Sequence, residues 1–124
     1  MAGPRQHRGT RAHLAGEAAE EIVARHYENR GYTVAERRWR GPGGEIDLIL
    51  RGPQELVFVE VKHSSTSSAA ALRITPRQVA RIYASAGKYL ETEPQGQLTP
   101  VRFDAALVNG TGAVEIIENA FGMD

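Results

Sequence analysis

Two short segments with matched alternation constrain this chain more than any other feature. Gly44-Glu45-Ile46-Asp47-Leu48-Ile49-Leu50 and Glu55-Leu56-Val57-Phe58-Val59-Glu60-Val61-Lys62 are separated only by Arg51-Gly52-Pro53-Gln54. Side chains alternate between the faces of a strand, so Glu45 and Asp47 share one face of the first segment, and Glu60 and Lys62 share one face of the second. The other faces read Ile46, Leu48, Leu50 and Val57, Val59, Val61. Pairing these apolar stripes in a hairpin puts the acids and the lysine on a common face. Carboxylates opposed across a strand pair repel each other. A divalent cation between them would offset that cost, so the pattern points to a metal site.

At 124 residues the chain fits one domain with one core. It has no cysteine, which excludes disulfides, thiolate metal sites and cysteine catalysis. Its apolar runs are strand-sized, well short of the roughly 20 residues that span a bilayer, and the Arg-rich N-terminus lacks the apolar centre of a secretory signal. A cytoplasmic location without membrane contact is the default expectation. The formal net charge is zero, yet residues 1–40 carry eight Arg against five Glu, while residues 41–124 carry seven Lys or Arg against ten acids. Neutrality therefore neither excludes nor supports a nucleic-acid partner.

Residues 1–10 are polar and punctuated by Gly and Pro, which predicts a flexible basic arm ahead of a single domain over 11–124. Ala15, Ala18, Ala19, Ile22, Val23, His26 and Tyr27 recur on one face of a helix expected over about 11–30, with Gly31 placed to end it. Tyr32–Ala35 reads as a short strand leading into the basic, aromatic stretch Glu36–Arg40 and a loop at Gly41–Gly44. After the acidic hairpin, 64–70 is small and Ser-rich and reads as a flexible loop. Thr75-Pro76 starts a second helix, running to about 91 with Val79, Ile82, Tyr83, Ala86 and Leu90 inward. Strands over 101–108 and 113–118 flank the turn Asn109-Gly110-Thr111-Gly112. Ile49, Leu56 and Phe58 lie on the acidic face, so the sheet is expected to be covered on both sides. The fold class is α/β, a layered domain on a mixed sheet.

Asp47 and Glu60 are hard oxygen donors suited to Mg²⁺ or Mn²⁺, which are held by one or two carboxylates plus water and phosphate oxygens. Such an ion polarises a phosphoryl oxygen. Lys62 would orient the nucleophile or stabilise charge developing on phosphate. Glu45 is a third ligand or a partner for Lys62, and Glu20 on the first helix can enter from the side.

Asp47 followed by Glu60-Val61-Lys62 resembles the PD-(D/E)xK signature of restriction-endonuclease-like nucleases. Gly16-x-x-Ala19-Glu20, Trp39-Arg40 before Gly44-Glu45-Ile46-Asp47-Leu48-Ile49, Phe58-Val59-Glu60-Val61-Lys62 and Arg102-Phe103-Asp104 look more closely like the bacterial YraN family, itself similar to archaeal Holliday-junction resolvases. The likeness covers about residues 14–108. It implies a three-layer restriction-endonuclease-like domain, a central mixed sheet flanked by helices, that is an endonuclease on branched DNA. Asp47 and Glu60 would hold the metal, Lys62 would be the catalytic lysine, and Glu20 and Glu45 would be supporting acids. Two departures stand out. His63-Ser64-Ser65 lies where the family commonly has Arg, and Gln78 lies at a supporting position where it commonly has Lys.

Arg77 and Arg81, with Arg73 just before the helix, form a basic stripe, and Arg37, Arg38 and Arg40 surround Trp39. Both patches suit phosphate contact, and Trp39 could stack on a base. A resolvase needs two active sites, hence a homodimer. The plainer readings are a salt-bridged sheet face, a solvated arginine stripe and a Trp39 within the core. The rival functions are a non-catalytic nucleic-acid-binding module that retains the nuclease fold, and a scaffold that binds no nucleic acid.

Overall fold

The structure, a computed structural model, describes residues 4–63 and 74–121, with side chains from Gly16 onward. The elements run α1 (Pro4–Glu28), β1 (Thr33–Gly41), β2 (Gly44–Arg51), β3 (Leu56–His63), α2 (Pro76–Leu90), β4 (Val101–Val108) and β5 (Val114–Ile117), with a 3₁₀ turn over Gly96–Leu98. The order helix, three strands, helix, two strands is the one expected.

The five strands form one sheet in the order β1-β2-β3-β4-β5. β1 to β3 form an antiparallel meander, and β5 pairs antiparallel with β4. β3 and β4 are parallel. Parallel neighbours need a crossover, and α2 supplies it. One face packs Leu48, Leu50, Val57, Val59, Ala106 and Val108 against Ala19, Val23, Ala24 and Tyr27 of α1. The other packs Ile49, Leu56 and Phe58 against Ala86, Tyr89 and Leu90 of α2. The domain is thus three layers, helix on sheet on helix. Burying each large apolar side chain stabilises it by roughly 1.5–3 kcal/mol, which explains why the central strands keep apolar residues on both faces.

α2 starts as its sequence dictates. Thr75 accepts from the Gln78 backbone N–H, and the Gln78 side chain returns the bond to the Thr75 N–H, a reciprocal cap with Pro76 just inside. Asn109 likewise accepts from the backbone N–H groups of Thr111 and Ala113 and shapes the β4–β5 turn. Phe121 is buried against Ile82 and Ala105 and docks the C-terminal segment.

Three expectations change. α1 begins at Pro4 rather than near residue 11. The apolar repeat that set the expected start begins only at Ala15, but a helix can extend beyond its buried stripe, and Pro is tolerated in a first turn. β1 continues through the basic stretch to Gly41, because an edge strand leaves charged side chains in water. The third concerns Ile46, which was expected to share a stripe with Leu48 and Leu50. It packs instead with Ile49 and Ala86 on the α2 side. Its β1 partner Trp39 packs there too, whereas Leu48, paired with Arg37, faces α1. The β1–β2 ribbon therefore changes face between these pairs, where Arg38 takes a left-handed backbone with φ 49°.

Candidate functional site

The β2–β3 ladder runs from Arg51↔Leu56 to Leu48↔Val59 and then stops. Its next step would oppose Asp47 and Glu60. The strands part there, and the Asp47 Oδ2 accepts a hydrogen bond from the Val61 backbone N–H at 2.8 Å. A side chain thus takes the place of a backbone partner, satisfying a donor that the separation would have orphaned. It also fixes the Asp47 carboxyl beside β3.

There it meets Glu60 within hydrogen-bonding reach. Burial, and then this neighbouring acid, push the Asp47 carboxyl up to about 8, while the Val61 N–H and the Lys62 ammonium pull the other way. Lys62, half-buried on the same strand, is close enough for its charge to be felt at Asp47.

Glu20 approaches from α1. Its side chain is only 16% exposed, and Oε1 accepts from Arg38 Nε at 2.8 Å. Burial raises this carboxyl above the usual range, Arg38 lowers it, and the charges on Asp47 and Glu45 raise it further. Glu45 pairs loosely with Arg40, 3.8 Å apart. Arg37 binds Glu21 at 2.8 Å, and Arg38 also reaches Glu17 at 3.9 Å. The basic stretch expected to meet nucleic acid therefore engages α1 through Arg37 and Arg38. Trp39 packs edge-to-face on Tyr89, with ring centres 5.2 Å apart. Trp39 is half-buried there, beside the cluster of Ile46, Ile49 and Ala86.

Across from the acids, a cleft of about 150 Å³ is lined by Gly43, Gly44, Glu45, Glu60, Gln78, Arg81 and Ile82. The N-terminal half of α2 forms its far wall. Arg77 and Arg81 are exposed there, and Gln78 lines the cleft while its carbonyl oxygen closes the helix cap. Arg73 and the segment 64–70 lie outside the described residues. Composition hides the residue that seats this wall. Ser85 is buried on α2, donating to the Gly44 carbonyl at 2.8 Å and accepting from the Gly43 N–H at 3.0 Å. A Cβ at Gly43 would fall 2.1 Å from the Arg81 carbonyl oxygen, so only glycine lets the β1–β2 turn lie this close to α2. A small residue in a helix facing a Gly-rich turn is the signal that could have found this contact.

Among the described residues no three His, Cys, Asp or Glu side chains come close enough to hold a metal by themselves. Asp47 and Glu60 make a two-carboxylate donor set, which fits a Mg²⁺ or Mn²⁺ ion completed by water and phosphate oxygens. No helix among the described residues is long and apolar enough to cross a membrane.

The one fully buried acid among the described residues is Asp104 on β4. It accepts from Tyr27 Oη at 2.6 Å, from Arg102 Nε and Nη2 at 2.9 Å each, and from the Asn119 N–H at 3.0 Å. Arg102 also reaches Glu55 at 3.0 Å. This network ties α1, β4 and the segment after β5 together.

A profile of the family described as "Uncharacterised protein family UPF0102" matches residues 19–108. A protein of that description from Ruegeria pomeroyi is 61% identical over 93% of this chain and 94% of its own length. One from Cereibacter sphaeroides is 56% identical over 91% of this chain and 97% of its own. A third, from Dinoroseobacter shibae, is 44% identical over 96% of this chain and 89% of its own.

Proposed function

Because this chain belongs to the uncharacterised protein family UPF0102, we propose its function from its site: a divalent-metal-dependent endonuclease of the PD-(D/E)xK type that hydrolyses phosphodiesters in DNA. The observation that carries this reading is the Asp47–Glu60 pair, held at the parting of β2 and β3 with Lys62 alongside. Two adjoining carboxyls next to an ammonium suit a metal and a phosphate better than they suit a structural ion pair. Asp47 and Glu60 would hold Mg²⁺ or Mn²⁺. The ion would supply Lewis-acid polarisation of the phosphoryl group and make a water more acidic.

The protein's own groups do the rest. The Val61 N–H fixes the orientation of Asp47. Lys62 places a positive charge where negative charge develops on phosphate and is in position to orient the attacking water. Arg81, on the far wall of the cleft that Glu60 also lines, offers a charge-assisted contact to a neighbouring phosphate. The likeness to Holliday-junction resolvases points to branched DNA, which is cut at two strands and so requires two copies of the chain.

The test is cleavage of labelled four-way junction, flap, duplex and single-stranded DNA in Mg²⁺ or Mn²⁺ by wild type, Asp47→Ala and Lys62→Ala. Cleavage abolished in both variants supports the reading, and cleavage that survives in both refutes the site. A second reading, a binding module that keeps the fold without turnover, is favoured by one observation. Gln78 offers a capping amide where a cation would grip phosphate. Salt-sensitive DNA binding that is unchanged in Lys62→Ala, without cleavage, would select it.

A further inference from the structure

We infer that Arg38 is a positioning residue, an internal cation that holds Glu20 away from the Asp47–Glu60 pair and must release it before Glu20 can join them around a divalent ion. This rests on the metal reading of the site. Three observations converge on Arg38. It lies between the Arg37↔Leu48 and Trp39↔Ile46 pairs of the β1–β2 ladder, where the ribbon changes face. Its backbone sits at φ 49°, a region an arginine seldom occupies without a local reason. Its Nε donates to Glu20 Oε1 at 2.8 Å, and Nη1 lies 3.9 Å from Glu17 Oε1.

Glu20 is the acid that this arrangement restrains. It is shielded by α1 and β1 and feels the charges of Asp47 and Glu45, yet it completes no three-acid cluster. The cation it pairs with is Arg38, on β1. Arriving positive charge repels the guanidinium and attracts the carboxylate, so an ion bound at Asp47 and Glu60 competes with Arg38 for Glu20. Arg38 would then lower the metal affinity of the resting protein while keeping Glu20 oriented for recruitment. The guanidinium so released would be available to a DNA phosphate, so metal and substrate would act in the same direction on one contact.

Mn²⁺ affinity is measured by calorimetry on wild type, Arg38→Asn, Glu20→Gln and the double variant, with Asp47→Asn as the site control. Asn accepts the left-handed backbone, and Arg38→Gly, which accepts it more readily still, repeats the test if Arg38→Asn folds poorly. Arg38→Asn is expected to bind Mn²⁺ about tenfold more tightly than wild type, the scale on which one neighbouring charge acts at a partly buried group. Glu20→Gln is expected to bind about tenfold more weakly, and the gain from Arg38→Asn is expected to vanish in the Glu20→Gln background, since it acts through Glu20. An equal gain in both backgrounds, or no gain in either, overturns the role of Arg38 and leaves the metal site standing. Mn²⁺ binding that does not depend on Asp47 overturns the metal reading, and this inference with it.

Discussion

Asp47 and Asp104 are both shielded aspartates on central strands, yet the chain treats them in opposite ways. Asp104 receives four hydrogen bonds from Tyr27, Arg102 and the Asn119 backbone. Asp47 receives one from backbone, at Val61, and confronts another acid. Around Asp104 the partners perturb their own chemistry to serve it, for burial and the aspartate raise the Tyr27 hydroxyl far above its usual range. Around Asp47 the perturbation falls on the aspartate itself. A carboxylate surrounded by donors is a structural joint, whereas one deprived of them is a place for a ligand.

The largest effect expected from this contrast is on stability. Asp104→Ala leaves Arg102 and Tyr27 without their buried partner, and urea unfolding should report a loss of about 3–5 kcal/mol. Asp47→Asn, measured the same way in EDTA at pH 8, should lose nothing or gain slightly, because it removes a repulsion. If both variants lost several kcal/mol, the two acids would be doing the same job and the contrast would fail.

Activity should reverse that order. Lys62→Ala is expected to lower metal-dependent DNA cleavage by about 10²-fold or more at unchanged melting temperature, the scale of losing one charge stabiliser at a reacting phosphate. Activity within a few-fold of wild type in Lys62→Ala would remove Lys62 from the site.

The pH dependence follows from Asp47 with a definite sign. Its carboxyl is raised from 3.8 to about 8 by burial and by Glu60, so the folded state holds a proton that the unfolded chain releases at lower pH. Metal-free stability from this group is fully present below the unfolded value and is lost as pH rises through about 8. Unfolding midpoints in EDTA between pH 4 and pH 9 should therefore fall more steeply for wild type than for Asp47→Asn, and parallel curves would contradict the raised Asp47 carboxyl.

The arginines give the smallest and most graded effect. Arg81→Ala should weaken DNA binding and lower the salt slope by about 1. Arg37→Ala, whose guanidinium is engaged with Glu21, should change both less. Filter-binding titrations across salt concentrations separate the two, and an equal loss would mean that the Arg37 pair opens on DNA.

Much of this was legible in the chain, because the features concerned are local. Alternating apolar residues marked β2, β3 and β4, Thr75-Pro76 marked the start of α2, and Asn109 marked the last hairpin. The grouping of Asp47, Glu60 and Lys62 where the β2–β3 ladder ends followed from strand parity. Features that depend on tertiary contact were not legible. Parity alone placed Ile46 on the α1 face. The reversal at Arg38 arises where α1 supplies Glu20 and Glu17 to an arginine that the sequence shows only as one of several in a basic run. Ser85 looked like an ordinary helix serine until the Gly43–Gly44 turn was seen to lie against it.

The central claim, that Asp47 is a cation site and Asp104 is not, is tested most directly by the thermal unfolding midpoint of wild type and Asp47→Asn at pH 7 as Mg²⁺ is added to metal-free protein. A ligand bound only by the folded state raises the midpoint with concentration. The account predicts a saturable rise in wild type that is absent in Asp47→Asn. An equal rise in both proteins, or none in wild type, would contradict it.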